Sequence, residues 1–219
     1  MSLKISQNTI ILTSYPSVIA YASVGGKKES EGPLARYFDL LNEDSSFGQK
    51  TWEKAESQLQ KDCSSKVLEK ANLSSADIDF LFAGDLLNQC IGSAYGSREL
   101  DIPFVGLYGA CSTMAESICL ASIFVDNFIA TNAMALTSSH FCSAERQFRY
   151  PLEYGGQRPP TSQWTATASG SVIISQSDKP PFIKAVCFGK IKDLGIKDAN
   201  NMGSAMAPAA CDTIMSYLK

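Results

Sequence analysis

The chain has 219 residues, 45% of them hydrophobic, and a net charge of −3 at neutral pH. That is the composition of an ordinary globular protein, long enough for one large domain or two small ones. A pI near 5.2 speaks against a nucleic-acid partner, which a protein usually meets with a basic face.

Seven cysteines are scattered along the chain in no CxxC pair. The pattern indicates neither a zinc site nor a disulfide framework, and predicts a reducing, cytoplasmic-side compartment. Met1-Ser2-Leu3-Lys4-Ile5 lacks the apolar core of a signal peptide. The most hydrophobic run, about Met114 to Val125, is too short to span a bilayer. A single histidine, His140, leaves no two-histidine metal site. The expectation is no metal and no resident cofactor.

In chain order, Thr9 to Thr13 and Val18 to Val24 read as extended, separated by Pro16. Residues 25–33 read as a polar loop, and Leu34 to Leu41 as a short helix. Thr51 can cap a helix of about 20 residues. Its apolar stripe is Trp52, Ala55, Leu59, Cys63, Val67 and Ala71, at steps of three and four. Ile78 to Ala83 has the pattern of a buried parallel strand. Ala94 to Leu100 reads as a short helix, and Pro103 to Leu107 and Met134 to Ser138 as further strands. Gly170 to Gln176 and Ile183 to Lys190 read as an antiparallel pair around the turn at Asp178 to Pro181. Residues 139–168 mix charge, aromatics, Gly and Pro without a period; an irregular stretch of about thirty residues is usually functional or disordered. Met202 to Lys219 begins a new helix pattern. Alternation of helices with buried strands indicates an α/β sheet.

Cys111 lies where a strand turns into the apolar helix that runs to about Asn127. Thr113 and Glu116 have capping-box spacing, which predicts a helix start just after Cys111. A helix N-terminus stabilises a thiolate or a bound anion and makes a cysteine nucleophilic. The competing reading is a small buried hydrophobe. Asp85 follows a strand's carboxyl end, the edge at which open α/β sheets bind ligands. It is either a ligand-orienting acid or a turn aspartate capping the next segment.

These segments resemble the thiolase superfamily and, more closely, the thiolase-like stage V sporulation protein AD family of spore-forming bacteria. The residues that carry the resemblance are Gly84 to Gln89, Phe104 to Glu116 with Gly109-Ala110-Cys111-Ser112-Thr113, and Ser138-Ser139-His140. Ala144 to Pro151, Glu153 to Gln157 and Met202 to Ala210 add to it. The superfamily fold is two similar α/β halves, with a nucleophilic cysteine at the start of a buried central helix in the first half; Cys111 matches it. The resemblance implies the first, N-terminal half of the thiolase-like fold, a five-stranded mixed sheet with a buried central helix. It sets residues 1–200 as that half and 201–219 as the start of a truncated second half. In active thiolases and synthases the second half supplies the cysteine's His or Asn partners.

The resemblance further implies a protein that binds dipicolinic acid (pyridine-2,6-dicarboxylate), or its calcium chelate, for uptake into the developing spore. The protein would do so without catalysis, as the soluble component of a membrane channel assembly. Membrane proteins of that assembly would be its partners, with peripheral placement on the cytoplasmic side of the spore inner membrane and formation of a homodimer. The alternative is an acyltransferase with Cys111 as nucleophile. The candidate ligand-binding residues are Asp85, Cys111, Ser112, His140, Arg146 and Arg149. Asp85 could meet a chelated metal, and His140 could contact the ligand beside Cys111 or be an ordinary hydrogen-bonded loop histidine. Arg146 and Arg149 could grip a planar dicarboxylate with their guanidinium forks, or pair with Glu145 and Glu153. Phe148 and Tyr150 could stack on a pyridine ring or simply pack beneath the loop.

Overall fold

A computed structural model describes residues 2–144, 165–197 and 201–218. The elements are β1 (Leu3–Lys4), β2 (Thr9–Ile11), β3 (Ser17–Gly25), α1 (Lys27–Ser30), β4 (Leu40–Leu41), α2 (Trp52–Ala71), β5 (Phe80–Gly84) and α3 (Ile91–Ser97). They continue with β6 (Phe104–Gly106), α4 (Thr113–Asp126), β7 (Asn132–Ser139), α5 (Phe141–Ala144), β8 (Ala168–Ser175), β9 (Ala185–Cys187) and α6 (Met202–Leu218).

The main sheet is mixed and runs β4-β3-β8-β7-β5-β6. β6, β5 and β7 are parallel, while β8 lies antiparallel between β7 and β3. The expected five strands are joined by a sixth, the two-residue edge strand β4, parallel to β3. The pleat sends successive side chains to opposite faces, and this chain fills both. Leu81, Ala83, Met134, Leu136 and Ile173 pack with Ala55, Leu59, Cys63 and Val67 of α2 on one face. Phe82, Ala133 and Ile174 pack with Ala121 and Val125 of α4 on the other. The result is a helix–sheet–helix sandwich in which the central strands are buried on both sides.

Helix α2 forms as its sequence dictates. Ala55, Leu59, Cys63 and Val67 are fully buried. The Thr51 hydroxyl accepts from the Lys54 N–H at 3.3 Å, and left-handed Asn72 closes the C-terminus. Thr51→Ala should cost about 1 kcal/mol, the usual worth of such a cap, and lower the melting midpoint by about 2–4 °C on a thermal scan.

Three local expectations differ from the structure. Residues 27–30 of the expected polar loop form the single-turn helix α1. The expected helix over Leu34 to Leu41 is a 3-10 turn, Ala35–Tyr37, followed by β4. Here Asp39 exchanges hydrogen bonds with Ser23, its N–H with the Ser23 carbonyl and its carboxylate with the Ser23 N–H. That docking pulls the chain extended beside β3. Finally, β9 does not pair with β8. Both edges of β8 are already occupied by β3 and β7, so β9 joins β2 in a separate antiparallel sheet, β1-β2-β9.

Helix α6 has no buried residue and rests on β9. The Cys187 thiol reaches the Thr213 carbonyl, and Lys192 pairs with Asp212 at 3.1 Å. No helix of the described residues is long and apolar enough to cross a membrane.

Candidate functional site: a cavity at the carboxyl edge of the sheet

The parallel strands β5, β6 and β7 end on the same edge of the sheet. Their exits carry Asp85, the Cys111 turn and Ser138-Ser139-His140. A cavity of about 520 Å3 opens there, within the size range of small-molecule sites. Asp85, Cys111, Met114, Ser138 and Gly170 are among the residues lining it.

The Cys111 turn is built by close approach. Leu107 donates its N–H to Ala83, and the Cys90 thiol donates to the Leu107 carbonyl at 3.1 Å. A 3-10 turn, Ala110–Ser112, then leads into α4, with Ala110 at a positive φ of 48°. The helix starts where expected, by a different device from the expected capping box. Thr113 Oγ1 accepts from the Gly109 N–H at 3.1 Å and donates to the Ala110 carbonyl at 2.8 Å. Ser112 supplies no side-chain cap. Cys111 itself is exposed at the mouth, and among the described residues no acid or base hydrogen-bonds to its thiol.

The other candidates are placed as follows. Asp85 lies in the cavity floor, 2% exposed. Its Oδ1 accepts from the Leu87 N–H at 2.8 Å, and its Oδ2 accepts from both the N–H and the hydroxyl of Ser93 at 2.6 Å. It braces the turn into α3. Ser112 donates to the Gly109 carbonyl at 2.7 Å and is not among the residues lining the cavity. His140 is 1% exposed and walls a second, smaller cavity of about 270 Å3 beside Lys27 and Ser45. Its Nε2 donates to the Ser45 carbonyl at 2.7 Å, while its Nδ1 accepts from the Cys142 N–H at 3.2 Å. The accepting Nδ1 marks the ring as neutral, and burial pushes its pKa below the ordinary imidazole value. The Trp52 ring lies 5.5 Å away, centroid to centroid. The structure thus brings Asp85 and Cys111 together and sets His140 apart. Arg146 and Arg149 lie outside the described residues.

Sequence reading passed over a buried polar chain under the floor. Glu56 and Gln60 of α2 are both fully buried. The Gln60 amide donates to Ser93 Oγ at 2.9 Å and to Ser138 Oγ at 2.8 Å. Ser138 donates to Glu56 Oε1 at 2.9 Å, and Ser143 donates to Glu56 Oε2 at 2.6 Å. Burial, reinforced by the Asp85 charge, raises the Glu56 pKa to about 7. The signal was present in the sequence: Glu56, Gln60 and Ser64 each follow one residue after Ala55, Leu59 and Cys63 of the buried stripe.

Fold and elbow together define a thiolase-like protein. An OleA variant from Xanthomonas campestris bound with cerulenin superposes with a TM-score of 0.58 at 14% identity, over 92% of this chain and 69% of that one. The 3-oxoacyl-[acyl-carrier-protein] synthase III of Aquifex aeolicus gives 0.51 at 13% identity, over 75% and 55%. Residues 6–219 match the stage V sporulation protein AD (SpoVAD) family, and the chain belongs to it. It is 50% identical over 197 residues to the stage V sporulation protein AD of Bacillus subtilis (strain 168), covering 90% of this chain. It spans 58% of that relative's length.

Proposed function

We propose that this sporulation protein binds dipicolinic acid or its calcium chelate in the Cys111 cavity, without catalysis. It would serve uptake into the developing spore as the peripheral component of a membrane channel assembly. The observation that carries the reading is the cavity itself. It is large enough for one small planar ligand and is lined by serine and threonine hydroxyls as well as apolar atoms. The N-terminus of α4 borders it, through Thr113 and Met114, and a helix N-terminus favours a carboxylate. The one histidine is committed to Ser45 and Cys142, so the base that a cysteine nucleophile needs is not drawn from it.

Calorimetric titration of the chain with dipicolinate should give saturable heat. Cys111→Trp, which plugs an exposed mouth position, should weaken binding at least about tenfold, or about 1.4 kcal/mol. Absence of heat at millimolar ligand overturns the reading.

The strained Ala110 beside an exposed cysteine favours one alternative, acyl transfer through Cys111, since strained backbone concentrates at functional sites. That reading requires a covalent adduct by intact mass after incubation with an acyl-coenzyme A, and its loss in Cys111→Ala. Homodimer formation belongs to the same proposal and is read by light scattering.

A further inference from the structure

Two carboxyl groups bracket one hydrogen-bond chain beneath the cavity floor. At one end Asp85 accepts two backbone N–H bonds and the Ser93 hydroxyl. At the other end Glu56 accepts, among the described residues, the Ser138 and Ser143 hydroxyls. Gln60 stands between them and donates to both Ser93 and Ser138. The direction of every bond is therefore set. With Glu56 ionised, the Ser138 proton points down at Glu56, and Ser138 offers the cavity it lines no donor.

We propose that ligand carboxylate binding in the Cys111 cavity is coupled to proton uptake at Glu56, with Ser138 as the relay. A solvent proton forms the O–H bond on Glu56 Oε1. That hydroxyl donates to Ser138 Oγ, which still accepts from Gln60, so both Ser138 lone pairs are used. The Ser138 hydrogen is then released to turn into the cavity and donate to the ligand. The same proton removes a buried negative charge that would repel a dianion. Ser143 offers a competing site with no path to the ligand. Its hydroxyl can turn to the His140 carbonyl at 3.1 Å and accept from a proton on Glu56 Oε2, so it is the ligand's demand for the Ser138 hydrogen that draws the proton to Oε1.

The groups around Glu56 are compatible with this role. Asp85 faces it from the end of β5, and Glu53 lies on its own helix. The buried His140 ring, beyond β7, is neutral. Strands β3, β7 and β8 and helix α3 carry no Asp, Glu, Lys, Arg or His. None of those elements brings a cation that would favour the Glu56 carboxylate, and burial raises its pKa to about 7, within the neutral range.

The inference rests on the cavity binding a carboxylate ligand. The probe is dipicolinate, whose carboxyl groups, at ordinary acidities, stay ionised above pH 6. Its affinity for the full chain is measured at pH 6, 7 and 8 in buffers of differing ionisation enthalpy. Wild type should weaken about tenfold from pH 6 to 8, with about half a proton taken up per ligand at pH 7. Glu56→Gln, a neutral mimic, should bind with constant affinity and no proton uptake. Ser138→Ala should lose the larger part of the coupling, keeping only the charge effect, and Ser143→Ala should keep it in full. Wild-type binding that is independent of pH, or coupling lost in Ser143→Ala and kept in Ser138→Ala, overturns the relay and leaves the ligand reading intact. No binding at any pH overturns both.

Discussion

Gly84→Ala should abolish the cavity's floor geometry and cost about 3 kcal/mol or more, which places it among severe substitutions. A Cβ on Gly84 would lie 2.1 Å from the Leu107 carbonyl oxygen and 2.6 Å from Thr113 Cγ2. Leu107 cannot swing aside, because its N–H is bound to Ala83 and its carbonyl to Cys90. The only relief is to separate β5 from the segment that carries Cys111, which breaks the registry of the two loops at the cavity. The melting midpoint should fall by about 6–12 °C or more for a chain of this size, with dipicolinate binding lost in any folded fraction. Gly32→Ala is the control. Its nearest neighbour would be the Glu29 carbonyl at 3.4 Å, so the change should stay within about 0.5 kcal/mol. Equal melting midpoints for the two variants would refute the close-approach account.

The elements legible in the sequence were those whose cause is local. The α2 stripe of Ala55, Leu59, Cys63 and Val67 has a helical period, a Thr cap and an Asn terminator within one window. Within Ile78 to Ala83, the unbroken apolar run Phe80 to Ala83 declares burial on both faces. The Cys111 elbow was legible because strand, turn and apolar helix follow each other directly. Pairing was less so: β8 and β9 are adjacent in sequence, yet β8 had lost both edges to β3 and β7, strands far away in the chain. Leu34 to Leu41 failed for the same reason, since Asp39 is drawn to Ser23 by a contact that no local window contains.

The placement of the candidate residues was legible in part. Asp85 and Cys111 could be placed on one edge because both follow strand exits of a parallel sheet. His140 also follows such an exit, and the sequence does not record that its ring turns away, onto Trp52 and Ser45. Glu56 was hidden for a statistical reason. A glutamate in a helix is ordinarily on the solvated face, and only the three-dimensional position of Ser138 and Ser143 shows that this one is not.

Glu56→Gln should raise the stability of the chain above neutral pH and leave it nearly unchanged in acid. A buried acid whose pKa rises from 4.5 to about 7 on folding binds more protons folded than unfolded between those values. Stability therefore falls as pH rises through that window, and the loss is complete above it. Two and a half units correspond to about 3 kcal/mol as an upper bound. Glutamine keeps the volume and the donor–acceptor pattern of the protonated acid but never ionises, so its melting midpoint should exceed wild type at pH 8, by at most about 6–12 °C. The two should converge near pH 4.5. The sign separates this account from a simple structural role. If Ser138 and Ser143 bound an ionised Glu56 with net benefit, the variant would be less stable than wild type at pH 8 and equal to it only in acid. A destabilised Glu56→Gln at pH 8 would thus place a permanent anion under the cavity, next to Asp85, and the floor would repel a dicarboxylate at every physiological pH.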